Sequence, residues 1–589
     1  MKRSLILTFL LIFAVHITAS WGARPNVVLV MTDDQGFGDL SCHGNPVLKT
    51  PQIDKLYREG VRLTDYHVSP TCSPTRGALM TGHWTNRTGV WHTIMGRSLL
   101  RANEITMGQL FKDAGYATGM FGKWHMGDNY PYRPEDRGFT EVMRHGGGGV
   151  GQTPDFWDNA YFDGSYFHNG KAEAVKGFCT DVWFDYAKRF IRKQKQAGKP
   201  FLAYICTNAP HGPMHSPIKN SAPYTKHGVN LSNFYGMITN IDDNVGKLRA
   251  FLKRQGLEDN TLFIFTTDNG SSSGDKVFNA NMRGKKGSEY DGGHRVPFFV
   301  YWPKGKLMGG RDVSPLTAHV DVVPTLLDFC DIDTPAGLRF DGRSIRSLLE
   351  NRAMNWPDRM LITDSQRVKD PIKWRKSAVM TSQWRLINGK ELYDIKADPS
   401  QQNNVAEQNA RVVARLRSFY DSWWTELEPT FKNDCPLAIG HEQDPLACLT
   451  GHDWITEKSS PWNQSMIRAG VDSPGSTGHW IVNVARSGKY KIALRRWPRE
   501  AKTSIDAGLV SGAEVPGAKA YRARLGKAIP VKKASLRIGK QKAEKAVVSG
   551  SEEVVFTMSL QAGVTQLEAK FYTEANHSMG AYYAYVERL

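Results

Sequence analysis

Short apolar segments alternate with longer amphipathic segments in this chain, and this alternation limits its possible folds more than any other feature. The apolar segments with the length of a buried strand are residues 26–31, 201–206, 262–265 and 298–302. Residues 106–114 and 181–194 carry the apolar spacing of amphipathic helices. Strands that alternate with helices predict an α/β fold with a central, mainly parallel sheet covered by helices on both faces. Such sheets bind ligands beyond the carboxyl ends of their strands, so the residues after each apolar segment are the first candidates for a site.

The sequence pattern divides the chain into four parts. Residues 1–23 combine Lys2 and Arg3 with an apolar run and small residues, which predicts a signal peptide. No later segment approaches the length of a membrane span, so we expect an exported protein without a transmembrane anchor. The other parts are an α/β domain at 24–351, an α+β subdomain at 352–430 with a helix at 405–424, and an appended β-sandwich-like module at 431–589 with strands at 479–484, 490–494 and 554–560.

Positive charge is concentrated near the carboxyl terminus. The chain has a formal net charge of +18, and residues 481–589 hold 19 lysines and arginines against 9 aspartates and glutamates. No block of five like charges occurs there, so a disordered basic arm is not expected. The excess indicates either a surface that attracts a polyanion or a solvated surface that is merely basic, and charge alone does not separate the two.

Oxygen-bearing side chains follow two of the predicted strands. Asp33 and Asp34 come directly after the first strand, and Asp268 and Asn269 come directly after residues 262–267. Adjacent carboxylates repel each other unless a cation lies between them, and oxygen ligands suit Ca²⁺ or Mg²⁺. The alternative is that the aspartates cap a helix and Asn269-Gly270 is a turn. The matched positions at two strand ends favour a metal site.

A cysteine stands just ahead of a helix that starts with proline, in the segment from Cys72 to Gly82 (CSPTRGALMTG). Considered alone, Cys72 is either a reactive thiol of depressed pKa or half of a disulfide with Cys42. The chain has seven cysteines, an odd number, and Cys435 and Cys448 are close enough in sequence to pair.

Five segments resemble those of a known family. Residues 72–82 resemble the sulfatase signature C-x-P-x-R followed by x-x-L-x-T-G, except that His83 follows where many members have arginine. The other matching segments are 122–127 (GKWHMG, with Met126 where leucine is common), 209–213 (APHGP), 282–287 (MRGKKG) with 289–297, and 392–394 (LYD) with Asp398-Pro399. Residues 24–430 therefore resemble the type I, formylglycine-dependent, arylsulfatase-like sulfatases of the alkaline phosphatase superfamily.

This resemblance implies an alkaline-phosphatase-like fold and two non-standard groups in the site. Cys72 would be oxidised to formylglycine (3-oxoalanine) by a formylglycine-generating or an anaerobic sulfatase-maturating enzyme. One Ca²⁺ ion would be bound by Asp33, Asp34, residue 72, Asp268 and Asn269.

The resemblance also implies roles for the basic side chains. Arg76 and Lys123 would orient the hydrated residue 72, Asp268 would accept its first proton, and His125 would assist removal of the second. Lys123, His211 and Lys286 would bind the sulfate, with His211 protonating the departing oxygen. Counting back from Gly287 selects Lys286 rather than Lys285. The expected catalytic residues are thus Cys72, Arg76, Lys123, His125, His211, Asp268 and Lys286.

The expected activity is hydrolysis of a sulfuric ester, with a sulfated carbohydrate or an aryl sulfate as substrate and no nucleic acid partner. A periplasmic or extracellular location is favoured over a lysosomal one, because the appended module resembles those of environmental bacterial sulfatases. The alternatives are a phosphate or phosphonate ester hydrolase of the same superfamily and a non-catalytic protein that binds sulfated glycans. The run of glycines at 146–149 predicts a flexible loop that lines the substrate entrance.

Overall fold

The structure is a computed structural model that describes residues 24–352, 355–457, 459–470, 477–518, 520–574 and 577–589. The signal peptide predicted at residues 1–23 lies outside these ranges. Within the described ranges, none of the helices combines the length and the apolar character that a membrane span requires.

Residues 24–352, which the structure describes, contain twelve strands and nine α-helices. The strands are β1 (Asn26–Thr32), β2 (Val61–Leu63), β3 (Tyr66–His67), β4 (Ala117–Gly122), β5 (Glu141–Arg144), β6 (Ser165–His168), β7 (Lys171–Ala174), β8 (Phe201–Cys206), β9 (Thr261–Thr267), β10 (Phe298–Tyr301), β11 (Arg311–Val313) and β12 (Thr317–Ala318). The helices are α1 (Pro51–Glu59), α2 (Cys72–Thr81), α3 (Met107–Asp113), α4 (Cys179–Gln196), α5 (Ile218–Ser221), α6 (Val229–Arg254), α7 (Asp291–His294), α8 (Val322–Phe329) and α9 (Arg346–Leu349).

Ten of these strands form one sheet in the order β11–β2–β10–β9–β1–β8–β4–β5–β6–β7. The five central strands from β9 to β5 are mutually parallel, and β10, β6 and β7 join antiparallel to their neighbours. The sheet is therefore mixed and mainly parallel, as predicted. Strand β1 is apolar on both faces, because Val27 and Leu29 pack into one core cluster while Val28 and Val30 pack into another.

A four-stranded antiparallel sheet follows, with strands β13 (Leu361–Asp364), β14 (Ser377–Met380), β15 (Trp384–Ile387) and β16 (Glu391–Asp394). Helix α10 (Ala410–Leu427) completes this part. The prediction placed the start of this helix at residue 405, which is wrong by five residues. The Val405 amide donates to the Leu392 carbonyl oxygen at 2.8 Å, which ties that stretch to β16 instead.

The remaining strands form two sheets that share one apolar core. They are β17 (Leu437–Ile439), β18 (Leu446–Thr450), β19 (His479–Val484), β20 (Gly488–Arg495), β21 (Val531–Ile538), β22 (Gln541–Ala546), β23 (Val554–Leu560), β24 (Gly563–Thr573), β25 (Ser578–Gly580) and β26 (Tyr583–Arg588), with helix α11 at Gln464–Ala469. One sheet has the order β17–β19–β24–β21–β22 with β25 beside β24, and the other has the order β18–β26–β20–β23. Trp480 and Leu567 of the first sheet belong to the same buried cluster as Ile492 and Val586 of the second. This arrangement agrees with the predicted β-sandwich-like architecture.

Candidate active site

The register of β1 and β9 brings the predicted acidic residues together at the carboxyl edge of the sheet. Thr32 and Thr267 are partners in this parallel pair, so Asp33 and Asp268 follow at the same level. The Asp34 amide donates to Asp268 Oδ1 at 3.1 Å. Asn269 Nδ2 in turn donates to Asp34 Oδ1 at 2.9 Å. All four of the polar side chains that follow these two strands are buried.

Each of the three carboxylates is paired with a cation from another part of the chain. The pairs are Lys123 Nζ with Asp33 Oδ2 at 2.6 Å, Lys286 Nζ with Asp34 Oδ2 at 2.6 Å and Arg76 Nη2 with Asp268 Oδ2 at 2.7 Å. Buried charges need such partners, because an unpaired charge in the interior is costly. The site is therefore a compact arrangement of alternating charges.

Burial and neighbouring charges shift the pKa values of the three carboxyl groups. Burial raises the pKa of Asp33 above its ordinary value. Burial, together with the charge of Asp33, raises the pKa of Asp268 to about 6. Burial alone would also raise the pKa of Asp34, but Lys286 and His211 hold it well below the usual range. The neighbouring cations therefore outweigh the effect of burial at Asp34, but not at Asp33 or Asp268.

Two oxygen atoms in this cluster have no hydrogen-bond partner among the described residues. They are Asp33 Oδ1 and Asn269 Oδ1, and both are buried. Buried acceptors without a donor are rare in folded proteins. One ligand atom each from Asp33, Cys72 and Asp268 lies within 4.8 Å of the others. A set of carboxylate and amide oxygens with free lone pairs fits a hard cation such as Ca²⁺.

Cys72 is the first residue of helix α2, and its side chain is buried beside the acidic cluster. The helix ends at Gly82, whose φ of 71° provides a left-handed cap. The seven cysteines all lie in described ranges and each is free, so neither of the considered disulfides forms. Burial raises the pKa of the Cys72 thiol, which argues against a reactive thiolate at this position.

The ring of His125 faces Cys72 with one nitrogen. His125 Nε2 lies 2.8 Å from the Thr93 carbonyl oxygen, which can only accept, so this nitrogen carries the proton. The other nitrogen, Nδ1, carries no proton and lies 3.4 Å from Cys72 Sγ, where it can accept from the thiol. Burial and the nearby Lys123 lower the pKa of His125 well below its ordinary value. The ring is therefore a neutral proton acceptor directed at residue 72.

His211 and Lys286 both lie beside the carboxylate of Asp34. His211 Nδ1 donates to the Gly212 carbonyl oxygen at 2.7 Å, and its Nε2 lies 3.9 Å from Asp34 Oδ2. Burial and Lys286 lower the pKa of His211 to about 3. Lys285 instead extends outward and lies 3.5 Å from Asp275, so Lys286 is the lysine of this pair that reaches the cluster.

All residues of the predicted site are thus connected around one centre, and the glycine run at 146–149 covers part of it. A Cβ atom on Gly148 would overlap the His125 ring, and one on Gly149 would lie 3.4 Å from His211 Nδ1. The run is buried, and side chains accept hydrogen bonds from three of its amides: Asp155 from Gly146, Asp128 from Gly147 and Gln152 from Gly148. The run lies against His125 and His211, and these hydrogen bonds hold it in place, in contrast to the flexible loop that was predicted.

Substitution Gly148→Ala is expected to lower activity by about 10²-fold, because a displacement of a catalytic group by about 1 Å has effects on that scale. The new methyl group would have to push the His125 ring away from residue 72. The measurement is kcat/KM, with the melting temperature recorded alongside. Gly149→Ala is the matched control in the same loop, since its methyl group would meet only moderate crowding. Equal activities of the two variants would contradict this packing role.

Nothing in the sequence pattern pointed to a cavity of about 430 Å³ that opens beside Lys286. Residues far apart in the chain line it, so no local spacing marks them as a group. They are His92, Ile94, Lys286, Gly287, Ser365, Arg367, Arg375, Lys376, Ser459 and Trp462.

Comparison with known proteins finds matches to sulfatases over much of the chain. The family model described as Sulfatase matches residues 25–332, and the model described as N-sulphoglucosamine sulphohydrolase, C-terminal, matches residues 285–420. Among curated proteins, the uncharacterised sulfatase YdeN of Escherichia coli (strain K12) is 28% identical over 392 residues, which are 57% of this chain and 68% of that protein. N-acetylgalactosamine-6-sulfatase of Homo sapiens is 30% identical over 363 residues, covering 56% and 67%.

A solved structure shares the fold over most of its length. The crystal structure of Ps i-CgsB in complex with k-i-k-neocarrahexaose has a TM-score of 0.62 and 26% sequence identity. The match covers 68% of this chain and 92% of that one.

Proposed function

We propose that this chain, which belongs to the sulfatase family and hydrolyses sulfate esters, removes sulfate from a sulfated carbohydrate through a formylglycine at position 72 and one bound calcium ion. The observation that supports this most is the position of Cys72 at the start of α2, beside paired cations and oxygen donors with free lone pairs. The negative charge that develops on the sulfuryl and departing oxygens in the transition state needs such a preorganised positive environment.

The names of the relatives support a carbohydrate as the alcohol part of the substrate. The human relative is an N-acetylgalactosamine-6-sulfatase, and the solved structure was obtained with a neocarrahexaose. A sulfated carbohydrate also agrees with the net charge of +18, because a basic surface attracts a polyanion.

Asp33, Asp34, Asp268 and Asn269 would hold the calcium ion together with residue 72. The two buried oxygens that lack a partner, Asp33 Oδ1 and Asn269 Oδ1, fit that assignment. When bound, calcium would offset the repulsion between the carboxylates and polarise a sulfate oxygen. Lys123, Lys286 and Arg76 hold the three carboxylates in place through their ion pairs.

The hydrated aldehyde of formylglycine would supply two hydroxyl groups on one carbon, one to attack sulfur and one whose deprotonation expels the sulfate. His125 is the proton acceptor for one of these hydroxyls, since its unprotonated Nδ1 faces residue 72. Asp268 accepts the other proton in our proposal. Arg76 donates to Asp268 through both Nε and Nη2 and fixes the direction of that carboxylate.

Lys286, His211 and Lys123 bind the sulfate group of the substrate in this proposal. His211 can protonate the departing oxygen only if the substrate's negative charge raises the low pKa that burial and Lys286 impose on it. Its Nδ1–H is already directed at Gly212, so Nε2 is the nitrogen that would deliver the proton.

Lys286→Ala is expected to lower kcat/KM for sulfate release by about 10²-fold or more, the scale on which loss of one charge-stabilising donor acts. Lys285→Ala is the matched control, because Lys285 lies outside the cluster and half of its side chain is exposed. Sulfate release from 4-nitrophenyl sulfate and from sulfated oligosaccharides would be measured by ion chromatography. A larger loss in the Lys285 variant would contradict the assignment, and no sulfate release by the wild-type protein would contradict the proposed function.

A further inference from the structure

The cavity beside Lys286 carries positive charge that the described residues do not neutralise. Three cationic side chains line it besides Lys286: Arg367, Arg375 and Lys376, called here the cationic wall. No carboxylate of the described ranges forms an ion pair with any of the three. Arg375 Nε donates to the Gln366 carbonyl oxygen at 2.7 Å, and Lys376 Nζ lies 3.5 Å from the Gly287 carbonyl oxygen. Neutral carbonyl groups are thus the partners of Arg375 and Lys376.

Keeping these cations close together has a cost for the protein. Burial, followed by the charges of Arg367, His452 and Arg375, lowers the pKa of the adjacent His92 to about 3. Arg367 and Lys376 also adopt left-handed backbone conformations, with φ of 41° and 40°. Residues other than glycine adopt this conformation at a cost, and such positions are frequent at binding sites. Mutual repulsion in this arrangement would be relieved by an anion.

An aromatic side chain from the carboxyl-terminal part completes the cavity. Trp462 is half-buried and lies edge-on to Tyr521, with ring centroids 5.8 Å apart. Its backbone is fixed to the segment after the glycine run, since the Thr153 amide donates to the Trp462 carbonyl oxygen at 3.0 Å. An indole placed beside cationic groups in a cleft is suited to pack against the apolar face of a sugar ring.

We propose that this cavity is a second anion-binding subsite. The cationic wall binds a sulfate or carboxylate on the sugar unit next to the one that loses its sulfate, and Trp462 packs against a sugar ring. This rests on the proposed function, because Lys286 lines both the cavity and the catalytic cluster. A ligand held at Lys286 by one sulfate would place its neighbouring unit against Arg367 and Arg375. The preferred substrate is therefore an oligosaccharide with at least two anionic groups.

The test compares a substrate that lacks a second anion with ligands that have one. Hydrolysis of 4-nitrophenyl sulfate reports on the catalytic cluster. A carrageenan tetrasaccharide (sulfates only) and a chondroitin sulfate tetrasaccharide (sulfates and carboxylates) then compete with it, each giving an inhibition constant. The double variant R367Q/R375Q loses hydrogen bonds between charged groups and the second anion. It is therefore expected to raise the inhibition constant of at least one tetrasaccharide about tenfold more than it changes KM for 4-nitrophenyl sulfate.

The matched control is R411Q/R415Q, which removes the same charge from the exposed surface of α10. It should leave the inhibition constants unchanged, and Trp462→Ala should raise them. A response of the carrageenan tetrasaccharide shows that sulfate fills the subsite, and a response of the chondroitin sulfate tetrasaccharide alone favours a carboxylate. Equal effects of the two double variants, or no competition by either tetrasaccharide with the wild-type protein, would overturn the subsite. Failure of the wild-type protein to hydrolyse 4-nitrophenyl sulfate and both tetrasaccharides would instead overturn the proposed function.

Discussion

Replacement of Cys72 by serine is expected to lower steady-state sulfate release by about 10³-fold or more, the scale on which loss of an enzyme nucleophile acts. A serine side chain has one hydroxyl group, so it can attack sulfur once but has no second hydroxyl whose deprotonation would expel the sulfate. The variant should therefore accumulate a covalent ester. Mass spectrometry of the peptide that contains position 72 should show a species heavier by one SO₃ after incubation with substrate.

Cys42→Ser is the control for this experiment, because Cys42 is a free, partly exposed cysteine outside the catalytic cluster. It should retain normal turnover. The Cys72→Ser variant should also keep the melting temperature of the wild-type protein within a few degrees, since the exchange is nearly isosteric. Multiple turnover by Cys72→Ser, with serine confirmed at that position, would contradict the proposed mechanism.

Calcium is expected to stabilise the protein after treatment with a chelator. A ligand that binds only the folded state adds about 2.7 kcal/mol to the free energy of unfolding when its free concentration is about 100 times Kd. The melting temperature of the chelator-treated protein should therefore rise when calcium is added back. This readout does not depend on activity or on the oxidation of Cys72.

Asp33→Asn is the variant that tests the assignment of the ligands. It keeps the shape of the side chain and an oxygen that can accept from Lys123, but it removes one negative charge from the cluster. We expect the calcium-induced rise in melting temperature to be lost or to require at least about tenfold more calcium. Asp312→Asn, at an exposed carboxylate paired with Arg62, should behave like the wild-type protein. An unchanged calcium response in Asp33→Asn would contradict a metal site at this position.

Local patterns were sufficient to predict a mainly parallel sheet and the meeting of polar residues at the ends of two of its strands. The strand that precedes Asp33 and the strand that precedes Asp268 are both continuous apolar runs, which is the pattern of buried parallel strands. Because parallel neighbours end at the same edge, polar residues at the two strand ends had to meet. Cys72, Arg76 and the other motif residues could be located because each lies in a short segment of fixed spacing.

Arrangements made by distant residues could not be predicted in this way. Helix α10 begins after residue 409 because Val405 is bonded to the carbonyl oxygen of Leu392, a contact that helical periodicity does not encode. The fit of Gly148 against His125 and the approach of Trp462 to Lys286 depend on how separate parts of the chain pack. Neither feature leaves a repeating pattern in the sequence.

The most direct test of the proposed catalytic mechanism is the mass of the peptide that contains residue 72, isolated from protein produced together with a competent sulfatase-maturating system. We predict an aldehyde or its hydrate at this position, in an amount that rises in proportion to the sulfatase activity of each preparation. An unmodified thiol in every preparation, with or without activity, would contradict the proposal.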